Sequence, residues 1–309
     1  MAQNDRKRRA RNDIRALRCY NDTVLVTIIG LGLIGGSIGL ALRQGNEPGW
    51  EIVGYSRRQE TIATALSSGA IERGETSLKN AVKQAGFVII ATPVLTIREI
   101  FSEIAPHLPS ACIVTDTAST KVQVMKWAEE ILPPTVDFIG GHPLAGRETY
   151  GIQAAQAELF RGCTYCLTSS DKASPKSIDM VIGMVKKLGA IPFFIDAQEH
   201  DNLVAGISHL PMLLSAALVS LTTKNPSWSK MSKLAASGYH DLSRLASGSP
   251  EVNAHICLSN KEAIINWIDK FSKELERYRQ LVAGGDKRLE QTFTEASKAR
   301  QEWLNNLSA

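Results

Sequence analysis

The residues most able to do chemistry each follow a short apolar run. His142 lies in Gly140-Gly141-His142-Pro143-Leu144-Ala145-Gly146, directly after Phe138-Ile139. Two glycines before it and a proline after it hold the histidine on a rigid, closely approached loop. An imidazole titrating near ~6.5 accepts a proton at neutral pH, as a base must when a substrate hydroxyl is oxidised. The competing reading is a histidine that merely caps a turn. Ser119 ends Asp116-Thr117-Ala118-Ser119, after the apolar residues 111–115. It is placed to orient that imidazole or to touch substrate, and equally to cap a helix beginning near Lys121. Lys121 reads as a solvated first-turn lysine, yet a cation there opposes the helix dipole and hints at another purpose.

A second group of residues suits a phosphate-bearing cofactor. The β-branched run 24–29 breaks at Gly30-Leu31-Gly32-Leu33-Ile34-Gly35, after which the apolar spacing becomes helical through Ile38, Leu40 and Leu42. In a G-x-G-x-x-G between strand and helix, Gly30 permits the tight turn and Gly32 lets backbone approach a pyrophosphate. Gly35 lets helix and strand pack, and the N–H groups of Leu33 and Ile34 open the helix toward the anion. Three glycines alone also fit an ordinary turn; the strand before and the helix after favour a dinucleotide site. Thr92-Pro93 ends a later buried strand and falls at the same sheet edge. An NAD site usually ends its second strand in Asp or Glu, for the ribose 2′-hydroxyl. Here that place holds Ser56, followed by Arg57 and Arg58. A hydroxyl and two guanidinium groups suit a 2′-phosphate, so NADP is expected in preference to NAD.

The remaining candidates lie in the C-terminal third. Ser208-His209-Leu210-Pro211 sits inside the most apolar helical stretch. His209 is either a satisfied core residue or a pocket liner, and Pro211 should kink the helix. Gly238-Tyr239-His240-Asp241-Leu242-Ser243-Arg244 gathers polar residues behind a glycine. An arginine held by a nearby aspartate forks well onto a carboxylate, and an ordinary surface salt bridge fits equally.

The elements that must position these groups fall into two textures. Strands at 51–55, 87–91, 111–115, 138–139, 163–168 and 191–195 alternate with helices at 61–68, 97–104, 121–131 and 178–188. That alternation predicts βαβ units and a Rossmann-type, doubly wound parallel sheet, an α/β fold. From about residue 199 no strand is expected, and helices are predicted over 201–221, 228–236, 250–272 and 286–305. The expected division is a basic arm over 1–22, a dinucleotide-binding domain over 23–198 and a helical domain over 199–309. The helical stretches are too apolar for a small lobe to bury alone, so a homodimer through that domain is expected. Among 309 residues, the first 20 hold seven Arg or Lys against two Asp. Without them the net charge of +4 becomes −1, which describes a near-neutral body wearing a short basic arm. The arm is read as a solvated terminus rather than a targeting peptide or a nucleic-acid contact. Five scattered cysteines argue against a disulfide framework and for a cytoplasmic protein. Cys163 and Cys166 lack a second pair, so no metal site is expected. No apolar run reads as a membrane span, and no signal-peptide core opens the chain.

Taken together, these motifs resemble the prephenate/arogenate dehydrogenases of tyrosine biosynthesis. The resemblance runs from Val24 to about Trp267. It rests on GLGLIGGS, DTASTK (116–121), GGHPLAG, ISHLPMLLSAAL, and SGYHDLSR followed by GSPE, in that order. It implies a nucleotide-binding domain, a helical dimerisation domain, and oxidative decarboxylation of a cyclohexadienyl acid with hydride transfer to NAD(P). By resemblance, His142 is the base on the ring hydroxyl, Ser119 supports it, Arg244 binds a substrate carboxylate and His209 lines the pocket. Two substrate-side positions depart from the family pattern. Arg147 stands where a small polar residue is usual, and Met212 stands where many members carry a second histidine after HLP. A soft, uncharged Met212 neither donates to a ketone nor repels an ammonium, so the sequence leans to arogenate with prephenate also accepted. Another two-domain dehydrogenase of the β-hydroxyacid type is the rival enzyme, but those use a lysine on the helical domain where this chain has His209. A non-catalytic nucleotide sensor is the rival outside enzymes, and the intact His142 and Arg244 argue against it.

Overall fold

The β-branched run at the start of the chain forms strand β1 (Val24–Ile29), and its side chains are buried on both faces. Val26 and Ile28 join one apolar cluster and Ile29 the other. The computed structural model describes residues 24–44, 49–146 and 149–307. The basic arm and Arg147 lie outside the described residues.

Helix α1 (Leu33–Gln44) follows, then β2 (Trp50–Tyr55), α2 (Gln59–Ser67), β3 (Arg73–Glu75), α3 (Leu78–Val82) and β4 (Phe87–Ile90). Next come α4 (Ile97–Ile104), β5 (Ile113–Asp116), α5 (Val122–Ile131), β6 (Asp137–Pro143), β7 (Thr164–Ser169), α6 (Pro175–Lys187) and β8 (Ile191–Phe194). One eight-stranded sheet results, in the order β3-β2-β1-β4-β5-β6-β7-β8. Helices cover both faces, so the inner strands read as continuous apolar runs rather than alternating ones. The short β3 and α3 have no strong pattern and escape the sequence reading.

The sheet is not wholly parallel. Strand β7 pairs antiparallel with β6, His142 lying opposite Cys166, and parallel order resumes between β7 and β8. No α-helix separates β6 from β7 among the described residues, only short 3-10 turns at Ile152–Ala154 and Ala157–Phe160. A parallel return needs a crossover, which this connection does not supply.

Beyond the sheet the chain is helical, as expected, with different breaks. Helix α7 (Ala197–Val204) passes through a π-turn (Ala205–His209) into α8 (Leu210–Thr223). The expected kink at Pro211 is taken up by that π-turn, which leaves the proline in the first turn of α8, where its missing N–H costs little. Helices α9 (Trp228–Leu234), α10 (Ser237–Ser243) and α11 (Pro250–Ser259) follow. Asn260 then interrupts the stretch read as one helix over 250–272, and α12 (Lys261–Ala283) begins after it. By packing, residues through Asn260 form one unit; α12 and α13 (Arg288–Leu307) form a second, a helical hairpin with Tyr278 against Phe293.

The continuous helical stretch Ala197–Thr223 has a mean hydropathy of 1.8 over its most apolar window, with only 28% of that window buried. By length and composition it could cross a membrane, which corrects the reading that no run qualifies. Core helices of water-soluble folds pass the same test, and this one carries buried His200, Asp201 and His209.

Candidate active site

Reversal of strand order between β1 and β4 opens a crevice at the carboxyl ends of the strands. A cleft of about 950 Å³ lies there, lined by Gly30, Gly32, Ser56, Arg57, Arg58, Thr92 and Pro93, with Tyr150 and Ile152 on its far side. Seven of the residues picked from sequence for a cofactor are thus neighbours. Leu33, Ile34 and Gly35 do not line it; they form the first turn of α1 behind it.

The three glycines do three different jobs. Gly30 has φ +100°, and a Cβ there would come 2.6 Å from Ala91 O, against the end of β4. A Cβ on Gly35 would overlap Gly30 O, so only glycine lets helix and turn close together. In front of Gly32 a Cβ would meet nothing within 4 Å. No side-chain packing inside the protein requires a glycine there, and the position leaves room for an incoming group. Ser56 Oγ accepts from the N–H of Arg58 at 3.2 Å, and the exposed Arg57 and Arg58 stand at the rim. Glu60 shares that rim. The residues present fit a dinucleotide: open backbone at Gly32, a helix N-terminus for phosphates, and hydroxyl and guanidinium groups beyond β2.

His142 is not part of the cleft lining. It sits near the end of β6, two strands along from β4, and is 7% exposed. Its Nδ1 lies 2.9 Å from His200 Nε2, and His200 Nδ1 lies 2.7 Å from Asp201 Oδ1. Asp201 also accepts from the N–H of Lys121 at 2.7 Å and of Val122 at 3.0 Å. The residue that caps α5 is therefore Asp201, reaching across from α7, and not Ser119. Ser119 is half-buried in the bend before α5, while the group on His142 Nδ1 is His200.

Lys121 is no solvated lysine. It is fully buried, its ammonium paired with Asp116 and donating to Gly141 O at 2.7 Å. Asp116 in turn accepts from Gly141 N–H at 3.0 Å and Ala118 N–H at 2.8 Å. This pair clamps the backbone just before His142, and a Cβ on Gly141 would press on Asp116 O at 2.5 Å. Such a pair contributes geometry more than stability, since desolvating two charges offsets much of their attraction.

Burial, then the nearby His200, Lys121 and His209, holds His142 well below the usual imidazole value. It does not titrate near 6.5, as the sequence reading assumed. His209, 1% exposed in the π-turn, is likewise pushed down by burial, to about 4. Its Nδ1 lies 3.3 Å from Asn260 Nδ2, which also donates to Asp201 O at 2.7 Å. Its Nε2 has no hydrogen-bond partner, although Ser119's backbone is near enough to raise its basicity slightly. An Nδ1 that accepts from Asn260 leaves the ring proton on Nε2, a buried donor with the Ser119 backbone beside it. Met212 is half-buried in the first turn of α8.

Arg244 is exposed at the start of a 3-10 turn (Arg244–Ser247) that packs on α8, where Ala246 N–H donates to Ser215 Oγ at 2.9 Å. Asp241 faces His240 at 3.5 Å. The structure thus gathers His142 and Lys121 into one buried network, with His209 joined to it through Asn260 and Asp201. It sets Arg244 at a surface, in a turn packed on the helix that follows His209. His200, Asp201 and Asn260 escaped the sequence reading. The one available signal was the polar triplet Glu199-His200-Asp201 at the very point where strands give way to helices.

Comparison with known proteins agrees with this layout. A family model for the nucleotide-binding domain of prephenate dehydrogenase matches residues 38–192, and one for its dimerisation domain matches residues 196–296. The prephenate dehydrogenase of Bacillus subtilis is 35% identical over 267 residues, 86% of this chain and 71% of that protein. The cyclohexadienyl dehydrogenase of Zymomonas mobilis is 29% identical, over 89% of this chain and 94% of that one. Among solved structures, prephenate dehydrogenase from Aquifex aeolicus, in complex with hydroxyphenyl propionate and NAD+, superposes with a TM-score of 0.84 at 30% identity. That match covers 92% of this chain and 99% of that one. Synechocystis arogenate dehydrogenase gives a TM-score of 0.76 at 28% identity, over 91% of this chain and all of that one.

Proposed function

The chain belongs to the prephenate dehydrogenase family and carries out oxidative decarboxylation of a cyclohexadienyl acid in tyrosine biosynthesis; we propose that it does so with NADP preferred over NAD, arogenate favoured and prephenate also accepted. The observation that carries the cofactor choice is the end of β2, where Ser56, Arg57 and Arg58 line the cleft in place of an acidic residue. The Aquifex relative was solved with NAD+. Preference must therefore be argued from this chain's own rim, where, among the described lining residues, Glu60 is the acidic one that opposes a phosphate.

In this reading the dinucleotide-binding domain is 23–198 and the helical domain 199–309. A nicotinamide cofactor held at the glycine turn 30–35 and the rim 56–58 would supply the hydride acceptor for the carbinol carbon. His142, held neutral by burial, takes the hydroxyl proton, and Ser119 assists it at the bend before α5. Loss of the ring carboxylate as carbon dioxide leaves an aromatic phenolate, to which His142 can return the same proton. Aromatisation drives the step, so the protein needs mainly to align the reactants and exclude water. His209 offers Nε2–H to a substrate oxygen beside Met212, and Arg244 takes a carboxylate. Arg147, outside the described residues, is proposed as a further substrate contact. A homodimer formed through the helical domain, working in the cytoplasm without metal, membrane or nucleic acid, completes the proposal.

Steady-state kcat/KM for both acids with both cofactors tests it. NADP and arogenate should give the highest value, and Ser56→Asp should reverse the cofactor ratio. A wild-type enzyme favouring NAD would refute the cofactor claim, and a large prephenate preference the Met212 argument.

A further inference from the structure

We propose that His200 and Asp201 act as a positioning dyad for His142: they fix which of its nitrogens is bare and hold the charge of the proton it receives. The proposal rests on His142 being the base.

The direction of the hydrogen-bond chain is set at one end by groups that cannot switch. Asp201 accepts two backbone N–H groups, from Lys121 and Val122, at the start of α5. Its Oδ1 also meets His200 Nδ1 at 2.7 Å. A carboxylate has no proton to offer, so His200 must donate from Nδ1. Neutral His200 then presents a bare Nε2, and the 2.9 Å contact with His142 requires His142 to donate from its Nδ1. Neutral His142 is left with Nε2 as its only acceptor. The tautomer of the base follows from a helix N-terminus three residues away along the chain of contacts.

Burial makes the arrangement binding. His200 is 0% and Asp201 1% exposed, so water does not replace either partner. The two imidazoles meet edge-on, with centroids 5.1 Å apart and planes at 76°. The ionisable groups facing His142 are His200, Lys121 and His209. Lys121 and His209 give an imidazolium nothing favourable, and Asp116 is already committed to Lys121. Asp201 is the carboxylate connected to His142 by hydrogen bonds, through His200. As the hydroxyl proton arrives on His142 Nε2, the Nδ1 proton is shared with His200 Nε2 and its charge faces Asp201. No electrons move within the dyad. When the phenolate forms, the proton passes back along the same bonds to the product oxygen. A proton stored away from solvent and returned is what this reaction requires.

The full-length wild-type enzyme, labelled with 15N-histidine, tests the tautomers directly. His142 and His200 should both show a protonated Nδ1 and a bare Nε2; a bare Nδ1 on His142 overturns the dyad. Two variants then test its effect. His200→Leu removes the acceptor and should lower kcat on the order of 10²–10⁴-fold, as loss of the correct tautomer does elsewhere, with KM and cofactor affinity unchanged. His200→Gln restores an acceptor that cannot take up a proton, and should recover part of that loss. Normal kcat in His200→Leu, alongside an inactive His142→Asn, removes the dyad and keeps the base. An active His142→Asn removes both. Where a variant fails to fold, the wild-type spectrum still decides.

Discussion

At the scale of single residues, burial changes what His142 can be. An exposed imidazole would lose its free base form as pH falls through about 6.5. Here desolvation, with His200, Lys121 and His209 alongside, moves that loss lower. Because the folded value is depressed, the base form persists below 6.5 and disappears only as pH falls through the depressed value. The acid limb of kcat should therefore have its midpoint below pH 6.5; a midpoint above it would mean that His142 is not the titrating base. His142→Asn should lose kcat by on the order of 10²–10⁴ while still binding NADP, measured by fluorescence titration. Retained turnover would exclude it from the mechanism. His142 stood out in the sequence as a candidate because glycine and proline mark a loop built for close approach. Its partners did not, since His200 and Asp201 lie about sixty residues downstream and only the fold brings α7 against α5. Lys121 was half legible: the conflict with the helix dipole was visible, but the buried Asp116 that resolves it needed the structure.

At the scale of elements, the glycine turn shows how sequence pattern converts to geometry, and it separates packing from binding. Gly35→Ala forces a Cβ into Gly30 O and should destabilise the fold by about 1–3 kcal/mol, seen as a lower melting temperature. Gly32→Ala meets nothing within 4 Å, so it should fold with an unchanged melting temperature. It should nevertheless bind NADP at least tenfold more weakly, because the methyl group occupies the approach to the phosphates. Equal melting losses in both variants would erase the distinction. Most strands and helices were legible because two-sided burial writes continuous apolar runs and helices write a clear period. The antiparallel β7 was not, since periodicity carries no direction. The π-turn before Pro211 was not either: proline announces a disturbance without fixing its form.

At the scale of the whole molecule, the described residues leave an apolar surface on the long helix uncovered. Leu203 is 51% exposed, Ile207 73% and Leu221 76%, all on the stretch Ala197–Thr223. Scattered exposed leucines are ordinary, but a helix with a mean hydropathy of 1.8 that buries only 28% of its most apolar window is not. The matched dimerisation domain spans this helix, so a second copy of the chain is the occupant its chemistry suits. The sequence carried this much, because apolar content in excess of what a small lobe can bury is a property of composition. Which side chains face outward needed the fold. Leu221→Glu tests the idea at a position whose side chain touches little within its own chain. Placing a charge there costs the monomer almost nothing, yet burying it at an interface without a partner costs several kcal/mol. The variant should keep its melting profile at low concentration and shift from dimer toward monomer in light scattering. Weakening by about 3 kcal/mol would raise the dimer dissociation constant more than a hundredfold. An unchanged dimer mass across a dilution series would mean that this face is covered by something other than a second copy.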